Sequence, residues 1–273
     1  MARVLVTGRG TSGSFQIRGV QLGTALGAKV IPNATQVDEF DQIILVKRAT
    51  PELLQRLKGK PIIWDVVDAF PQPIGNSWSR TECLEWLKTT VYLLKPAGII
   101  AATHAMMDDL KSFYSGPVLW LPHHYRPGLH KTPVRADVLN LGYEGGVKYL
   151  GKWLPILQRE CKAKGWNFVM NPPSITSLDL LVALRDAKGY APRAWKSNVK
   201  LANAQGSGIP IICNRESGYL ETAGPGVKWA DTEEELCEAL EEMVSYKERS
   251  KPLGNAMSVD QCAERLREWL SRF

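Results

Sequence analysis

Short apolar runs alternate with amphipathic stretches along the first half of the chain. Apolar runs of this length predict buried strands, and apolar residues spaced three or four apart predict helices between them. The predicted strands lie at residues 4–7, 28–31, 43–46, 62–66 and 98–102. The predicted helices lie at residues 15–26, 51–57, 81–94 and 105–114. Thr50 and Pro51 form a typical start for the second helix.

A second α/β series follows a glycine- and proline-rich stretch at residues 116–128, which predicts a linker. Strands are predicted at residues 138–141, 166–170, 178–184, 210–213 and 227–229. Helices are predicted at residues 148–164, 196–205 and 219–223, before two C-terminal helices of which the first starts at Thr232. The pattern therefore predicts an α/β protein of two Rossmann-like, doubly wound domains, residues 1–124 and 125–273, facing a central cleft.

Composition narrows the class of protein. The 273 residues are 44% hydrophobic, which suits two domains with proper cores. No apolar run approaches the ~20 residues that span a bilayer, and the first residues lack a signal-peptide pattern, so we expect a cytoplasmic protein. The five cysteines are scattered without metal-binding spacing, which predicts reduced thiols and no metal. The net charge of +6 favours an anionic partner, either a small phosphate ligand or a nucleic acid.

A glycine-rich turn follows the first predicted strand. Residues 8–13 read GRGTSG, a G-x-G-x-x-G pattern in which Gly10, Ser12 and Gly13 would let an anionic ligand approach the backbone. Three interpretations stay open: a dinucleotide such as NAD, another substrate, or a tight turn that serves packing. NAD is opposed by Asn33, which stands about where the fingerprint expects an acidic residue for the ribose.

The most specific pattern lies at residues 195–221. Lys196 precedes Ser197 and Asn198, which are candidate caps for a predicted helix, and the sequence GSGIP then leads into a strand. A lysine at a helix N-terminus suits a diphosphate. Glu216 and Glu221 follow the strand.

This order of features resembles the donor-binding segment of GT-B glycosyltransferases, with the similarity running from residue 138 to 230. Gly142 and Tyr143 fall in a stretch that resembles the family's glycine-containing loop, and Arg185 ends a strand similar to the one that places an arginine near the donor phosphates. The resemblance implies the GT-B fold, with a last helix that returns toward the N-terminal domain. It also implies metal-independent transfer of a hexosyl or pentosyl group from a nucleotide sugar. A UDP-sugar is the expected co-substrate, and no cofactor is expected.

The resemblance also implies roles for individual residues on the donor side. Arg185 and Lys196 would neutralise the leaving nucleoside diphosphate, on which negative charge develops in the transition state. Glu216 and Glu221 would hold ribose and sugar hydroxyls. Their spacing departs from the family's E-x7-E pattern, so the two roles are not assigned to one or the other.

The acceptor and its base are predicted in the first domain. An inverting transfer needs a carboxylate or a histidine to take the acceptor proton, and Asp68 and His104 follow predicted strands there. A turn role for Asp68 and a helix-start role for His104 are the alternatives. Size and basic charge resemble phage-type DNA glycosyltransferases, which makes a hydroxymethylated base in DNA the predicted acceptor. A surface glycan or small-molecule acceptor, an NAD-dependent oxidoreductase and a non-enzymatic binding protein are the alternative functions.

Overall fold

A computed structural model describes residues 3–68, 71 and 74–273 of the chain, which divides into two compact units. Unit 1 takes in the chain up to His123 together with Gly189–Ser197 and Met257–Phe273. Unit 2 consists of His124–Lys188 and Asn198–Ala256. Gly189–Ser197 and Met257–Phe273 both lie beyond the predicted boundary at residues 124 and 125, and they nevertheless belong to unit 1.

Strands and helices alternate along both units. The strands are β1 (Val4–Gly8), β2 (Lys29–Val30), β3 (Gln42–Val46), β4 (Ile62–Val67), β5 (Gly98–Ala101), β6 (Val118–Trp120), β7 (Asn140–Tyr143), β8 (Asn167–Met170), β9 (Leu180–Ala183), β10 (Ile211–Cys213) and β11 (Lys228–Trp229). A π-helix (Phe15–Gln21) continues as α1, and the α-helices are α1 (Leu22–Leu26), α2 (Pro51–Leu57), α3 (Arg80–Leu94), α4 (His104–Lys111), α5 (Trp153–Lys164), α6 (Tyr190–Ala194), α7 (Val199–Ser207), α8 (Ser217–Leu220), α9 (Glu233–Glu242), α10 (Tyr246–Arg249) and α11 (Val259–Leu270).

Each unit is organised around one parallel sheet. Among the described residues, unit 1 has six strands in the order β2-β1-β3-β4-β5-β6, and unit 2 has five in the order β11-β10-β9-β7-β8. Alternate strand residues belong to different apolar clusters: Leu5 and Ile43 face one core of unit 1, and Val6 and Ile44 face the other. Both faces of the sheet are therefore covered, as buried parallel sheets require.

Unit 2 shows the same two-sided burial. Leu180 and Val182 of β9 pack in one apolar cluster with Trp153 of α5, while Leu181 packs in a second cluster with Leu201 of α7. No helix in the described part of the chain combines the length and apolar character that a membrane crossing requires.

Helix starts follow their local sequence signals. Thr50 caps α2 by accepting a hydrogen bond from the backbone N–H of Leu53, and Thr232 forms a reciprocal capping box with Glu235 at the start of α9. Both predicted starts are confirmed. Such caps satisfy backbone N–H groups that have no partner within the helix.

Several predicted boundaries were wrong: α5 begins at Trp153 rather than at residue 148, and α8 spans Ser217–Leu220 rather than residues 219–223. Residues 118–120, predicted as part of a linker, form edge strand β6 paired with β5, because Pro117 and Pro122 flank the strand without interrupting its hydrogen bonds. The helix predicted from residue 196 begins at Val199, because the preceding residues are anchored in unit 1.

Candidate functional site

The strand order marks one edge of each sheet as a ligand position. In unit 1 the order reverses between β1 and β3, and in unit 2 between β7 and β9. Open parallel sheets bind ligands beyond the carboxyl ends of their strands at such a reversal. We call the carboxyl ends of β1, β3 and β4 the unit 1 edge, and those of β7, β9 and β10 the unit 2 edge.

At the unit 2 edge, an arginine and a buried glutamate form an ion pair. Arg185 follows β9, and its Nε donates to Oε1 of Glu216 at 3.1 Å. Glu216 is 4% exposed and directly precedes α8. The side chain of Asn214 accepts a hydrogen bond from the backbone N–H of Arg185 and donates to the carbonyl of Ala230. The ends of β9, β10 and β11 are thereby joined, which fixes the arginine at the edge.

Aromatic rings and a second cation complete the unit 2 edge. The guanidinium of Arg185 lies 5.3 Å from the ring centroid of Tyr149, and Nζ of Lys200 lies 3.9 Å from that of Tyr143. Burial raises the pKa of Tyr143, opposed by the charge of Arg185 and reinforced by that of Glu216, so these groups interact electrostatically. Arg185 thus contacts the carboxylate of Glu216, and Lys200 contacts the ring of Tyr143, the residue that ends β7.

Lys200 was not predicted from the sequence, because the helix-start lysine was expected at residue 196. In the structure Lys200 is the second residue of α7, and its ammonium group lies against the ring of Tyr143. The sequence does contain a signal for Lys200: it is a basic residue near the start of the helix that precedes the GSGIP turn.

The remaining unit 2 candidates have local structural roles or lie apart from the ion pair. A Cβ on Gly142 would fall 2.2 Å from the side chain of Leu178, so glycine is needed there for packing. Asn198 precedes α7, but its side chain makes no cap and donates instead to Thr222. Glu216 directly precedes α8 and Glu221 directly follows it, so the short helix separates the two glutamates.

Lys196 and Ser197 belong to unit 1, where a buried anchor holds their segment. Nε1 of Trp195 and the hydroxyl of Tyr190 both donate to Oδ2 of Asp109 at 2.8 Å, and the hydroxyl of Thr103 donates to the carbonyl of Ala194 at 2.9 Å. Trp195 and Asp109 are at most 1% exposed. The anchor explains why Lys196 stands before α7 rather than in its first turn.

At the unit 1 edge, Lys47, Asp68 and Lys196 form what we call the lysine–aspartate cluster. Nζ of Lys47 lies 2.5 Å from Oδ1 of Asp68 and 3.4 Å from Oγ of Ser14, and Nζ of Lys196 contacts Oδ2 of Asp68. The side chains of Lys47 and Lys196 are 20% and 14% exposed, and that of Asp68 is 9% exposed. The described ion pairs therefore set two ammonium groups against one carboxylate.

The backbone that positions the lysine–aspartate cluster is strained at two residues. Lys47 has φ of 61° and Val67 has φ of 58°, a left-handed conformation that is rare for β-branched residues. A bulge interrupts the pairing of β4 with β5 between Asp65 and Val67. The backbone N–H of Lys47 donates to the carbonyl of Asp65, and Nε1 of Trp64 donates to the carbonyl of Lys47. Strain of this kind persists where the surroundings hold it, and it concentrates at functional sites.

The charge balance argues against Asp68 as a proton acceptor. Burial alone would raise the pKa of its carboxyl, but the charges of Lys196 and Lys47 hold that pKa well below its ordinary value. A carboxylate this stable is a weak base, whereas a general base works best with a pKa near the working pH.

His104, the second predicted base, lies beside an aromatic ring on the surface. It is the first residue of α4, which Thr103 caps, and its ring stacks on Trp120 at 3.9 Å between centroids. Both residues line a surface cavity of about 390 Å³ with Arg265, Glu268 and Arg272.

The glycine-rich turn has a packing explanation in the structure. A Cβ on Gly10 would fall 2.5 Å from that of Pro32, whereas Gly13 has open space around it. Oγ of Ser12 accepts from the backbone N–H of Phe15. Asn33 donates from its side chain to the carbonyl of Arg9 in the same turn. The third glycine therefore does not bring helix and strand together, as it does in the dinucleotide fingerprint.

Over the described residues, no group of three or more histidine, cysteine, aspartate or glutamate side chains is arranged to hold a metal ion.

The fold is similar to solved glycosyltransferase structures. It matches the glycotransferase of kitacinnamycin over 99% of this chain and 98% of that one, with a TM-score of 0.54 and 10% identity. It also matches a mutant of S. aureus TarM in complex with fondaparinux, alpha-GlcNAc-glycerol and UDP, over 84% of this chain and 52% of TarM, with a TM-score of 0.54 and 9% identity. A second TarM structure gives 0.52 and 10%. The chain thus spans about half the length of TarM.

No protein-family model matches the sequence, and a search of curated proteins gave no match. At about 10% identity, structural likeness shows the fold and not the activity, because one fold hosts many functions. The predicted fold class, a two-domain GT-B fold built from parallel α/β sheets, is confirmed.

Proposed function

We propose that the protein is a glycosyltransferase that binds a nucleoside diphosphate sugar at the unit 2 edge. The observation that carries the proposal is the Arg185–Glu216 pair at the strand-order reversal, with Lys200 in the adjacent first helical turn. The similarity to glycosyltransferases, one of them in complex with UDP, adds support from the fold.

Arg185, Lys200 and Glu216 have different roles in donor binding. Arg185 and Lys200 face the diphosphate, and their charges stabilise the negative charge that grows on it as the glycosidic bond breaks. Arg185 presents planar donors suited to phosphate oxygens. Glu216, which accepts only, binds hydroxyls of the donor and holds Arg185 in place before the donor arrives. Tyr143 and Tyr149 supply ring faces beside the two cations.

The proposal names neither the transferred sugar nor the acceptor. A UDP-sugar and transfer of a hexosyl or pentosyl group stay predictions from the resemblance. The predicted acceptor, a hydroxymethylated base in DNA, finds no support among the structural neighbours, whose named ligands are a glycan, a glycosylated glycerol and a nucleotide. His104 stays the predicted proton acceptor if transfer inverts the anomeric centre.

Thermal unfolding against a ligand panel tests the proposal. A ligand that binds only the folded state raises the melting temperature with its concentration. We expect a saturable rise with one nucleoside diphosphate and its sugars and none with NAD. Arg185→Gln should abolish that rise. The matched control is Arg159→Gln, which removes a half-exposed surface arginine paired with Glu160 and Glu233 of the same unit.

The panel also decides between functions. A rise with NAD alone would favour the oxidoreductase. An equal response of the Arg185 and Arg159 variants to the nucleotide would place the donor elsewhere.

A further inference from the structure

Strand β6 forms one edge of the unit 1 sheet. Among the described residues it pairs with β5 alone. The backbone groups of Pro117 and Leu121, at either end of the strand, bond to β5. Because this bonding alternates along a strand, the N–H and C=O groups of Val118 and Trp120 point away from β5. No described residue forms a hydrogen bond with them there.

A cavity of about 390 Å³ lies along this edge. All three β6 residues line it, together with side chains from helices on both faces of the sheet. Met107 of α4 and Val118 pack on one face, whereas Trp269 of α11 and Leu119 pack on the other. A space bordered by the strand and by both faces lies where the next strand of the sheet would run. We call it the β6 cleft.

Two arginines give the β6 cleft its charge. Arg265 and Arg272 both line it, and the guanidinium of Arg265 lies 5.1 Å from the ring centroid of Trp120. Neither arginine forms an ion pair with a described residue, although Glu268 lines the same cavity. Seven positions separate the two arginines, which is about two helical turns or roughly 10 Å. An elongated ligand that carries two negative charges satisfies both.

The backbone groups of the edge select the class of ligand. A row of alternating N–H and C=O groups is complementary to another extended chain, and peptides bind exposed sheet edges in this way. An acidic glycan or a small anion would satisfy the arginines and leave that row unused. A second copy of this chain, paired through its own β6, would bring like charges together, so an acidic partner is favoured.

We propose that the β6 cleft binds an extended acidic peptide of a partner protein, which adds to the unit 1 sheet beside β6. The peptide backbone pairs with Val118 and Trp120. Acidic side chains on one face of the peptide reach Arg265 and Arg272, and apolar side chains on the other face contact Met107. Acidic and apolar residues therefore alternate along the bound segment. This surface does not depend on the donor assignment in unit 2.

A synthetic peptide of alternating glutamate and valine, about eight residues long with blocked ends, tests the proposal. Calorimetry at constant ionic strength should show saturable binding. Arg265→Gln and Arg272→Gln should each weaken it about tenfold, because each removes a charge-assisted hydrogen bond. Arg267→Gln is the matched control, since Arg267 lies on the same helix and donates to the carbonyl of Ala25 instead.

Backbone pairing is tested separately from charge. The same peptide with every backbone amide N-methylated keeps its carboxylates and loses its N–H donors, so its affinity should fall at least about tenfold. Val118→Pro should weaken binding of the unmethylated peptide similarly. It removes an outward N–H and spares the bonds to β5, because proline is tolerated on edge strands where the N–H faces solvent. The amide resonances of Val118 and Trp120 should shift when the peptide binds to the wild type.

Equal binding of the methylated peptide would show that the β6 cleft recognises charge alone, as for a glycan or a small anion, and would overturn strand addition. Equal affinity of the Arg265, Arg272 and Arg267 variants would overturn it too, as would no binding at about 1 mM peptide. A dimer that Val118→Pro dissociates, without peptide binding, would assign the edge to a second copy and contradict the proposal. If Val118→Pro does not fold, the arginine variants and the methylated peptide decide by themselves.

Discussion

The two sheet edges share a strand order and differ in how they hold charge. At the unit 2 edge, Arg185 is paired with Glu216, and its backbone is tied to Asn214 at the end of an ordinary strand. At the unit 1 edge, two lysines share one aspartate, and the residues that aim them are strained. The same α/β scaffold thus carries an arginine paired with its own glutamate in one unit and two lysines that share one aspartate in the other.

The two edges also differ in how far apart their residues lie along the sequence. The unit 2 pair joins residues about thirty positions apart along consecutive strands. The unit 1 cluster needs Lys196, which is more than a hundred positions from Asp68 and is held by Trp195 on Asp109. The unit 1 edge should therefore be the more sensitive of the two to changes far from it.

The largest effect should come from Trp195→Ala. The change removes a fully buried ring and one of the donors to Asp109, so unfolding should become easier by about 3–5 kcal/mol, the usual range for a large aromatic residue truncated in a core. Urea unfolding measures it. A loss below about 1 kcal/mol would mean that the segment does not depend on this anchor.

Arg185→Gln should cost less, about 2–4 kcal/mol, because it leaves the carboxylate of Glu216 buried without the guanidinium. The double variant with Glu216→Gln should recover part of the loss. A double-mutant cycle in urea measures the coupling between the two residues. A coupling energy near zero would show that the pair is not the organising contact of the unit 2 edge.

Asp68→Asn should give a pH-dependent loss of about 2 kcal/mol. The pKa of the folded carboxyl lies below the ordinary 3.8, so the unfolded chain binds the proton more readily. The stabilisation is therefore complete above that ordinary value and is lost as pH falls below it. Unfolding of wild type and variant at pH 7 and pH 3 should show the gap shrinking in acid. Asp38→Asn, an exposed control in the same unit, should show no such gap at either pH.

Gly142 in β7 and Gly13 in the segment after β1 give the smallest and most closely matched comparison. Gly142→Ala in unit 2 should cost about 1–3 kcal/mol, because its Cβ would overlap the buried side chain of Leu178. Gly13→Ala in unit 1 should change stability by less than about 0.5 kcal/mol, because the space around that position is open. Equal melting temperatures for the two variants would contradict the packing role of Gly142.

The sequence predicted those parts of the molecule that depend on neighbours in the chain. Thr50 and Pro51 mark the start of α2, and Thr232 marks that of α9, because a cap is decided within four residues. The continuous burial of β1 and β3 likewise shows in their apolar runs. The order of these elements was enough to predict the fold class.

The candidate sites were harder to predict because they are assembled over long distances. Nothing near Lys196 indicates that Trp195 will find Asp109, and the helical pattern of the residues that follow extends back over the lysine. The left-handed conformations of Lys47 and Val67 have no sequence signature, since neither residue type favours them. Arg185 and Glu216 were predicted as site residues from the resemblance to GT-B glycosyltransferases, and in the structure they form an ion pair.

The return of α11 to unit 1 has a consequence for synthesis on the ribosome. Cys262, Leu266 and Trp269 of α11 cover one face of the unit 1 sheet, together with Val6 and Ile44 from the beginning of the chain. Unit 2 is complete once Ala256 has emerged, so the unit that begins first is finished last. At the usual pace of translation, the apolar face of the unit 1 sheet waits roughly ten to thirty seconds for its cover. During that interval we expect the face to be exposed apolar surface, the kind that makes a nascent chain prone to aggregation.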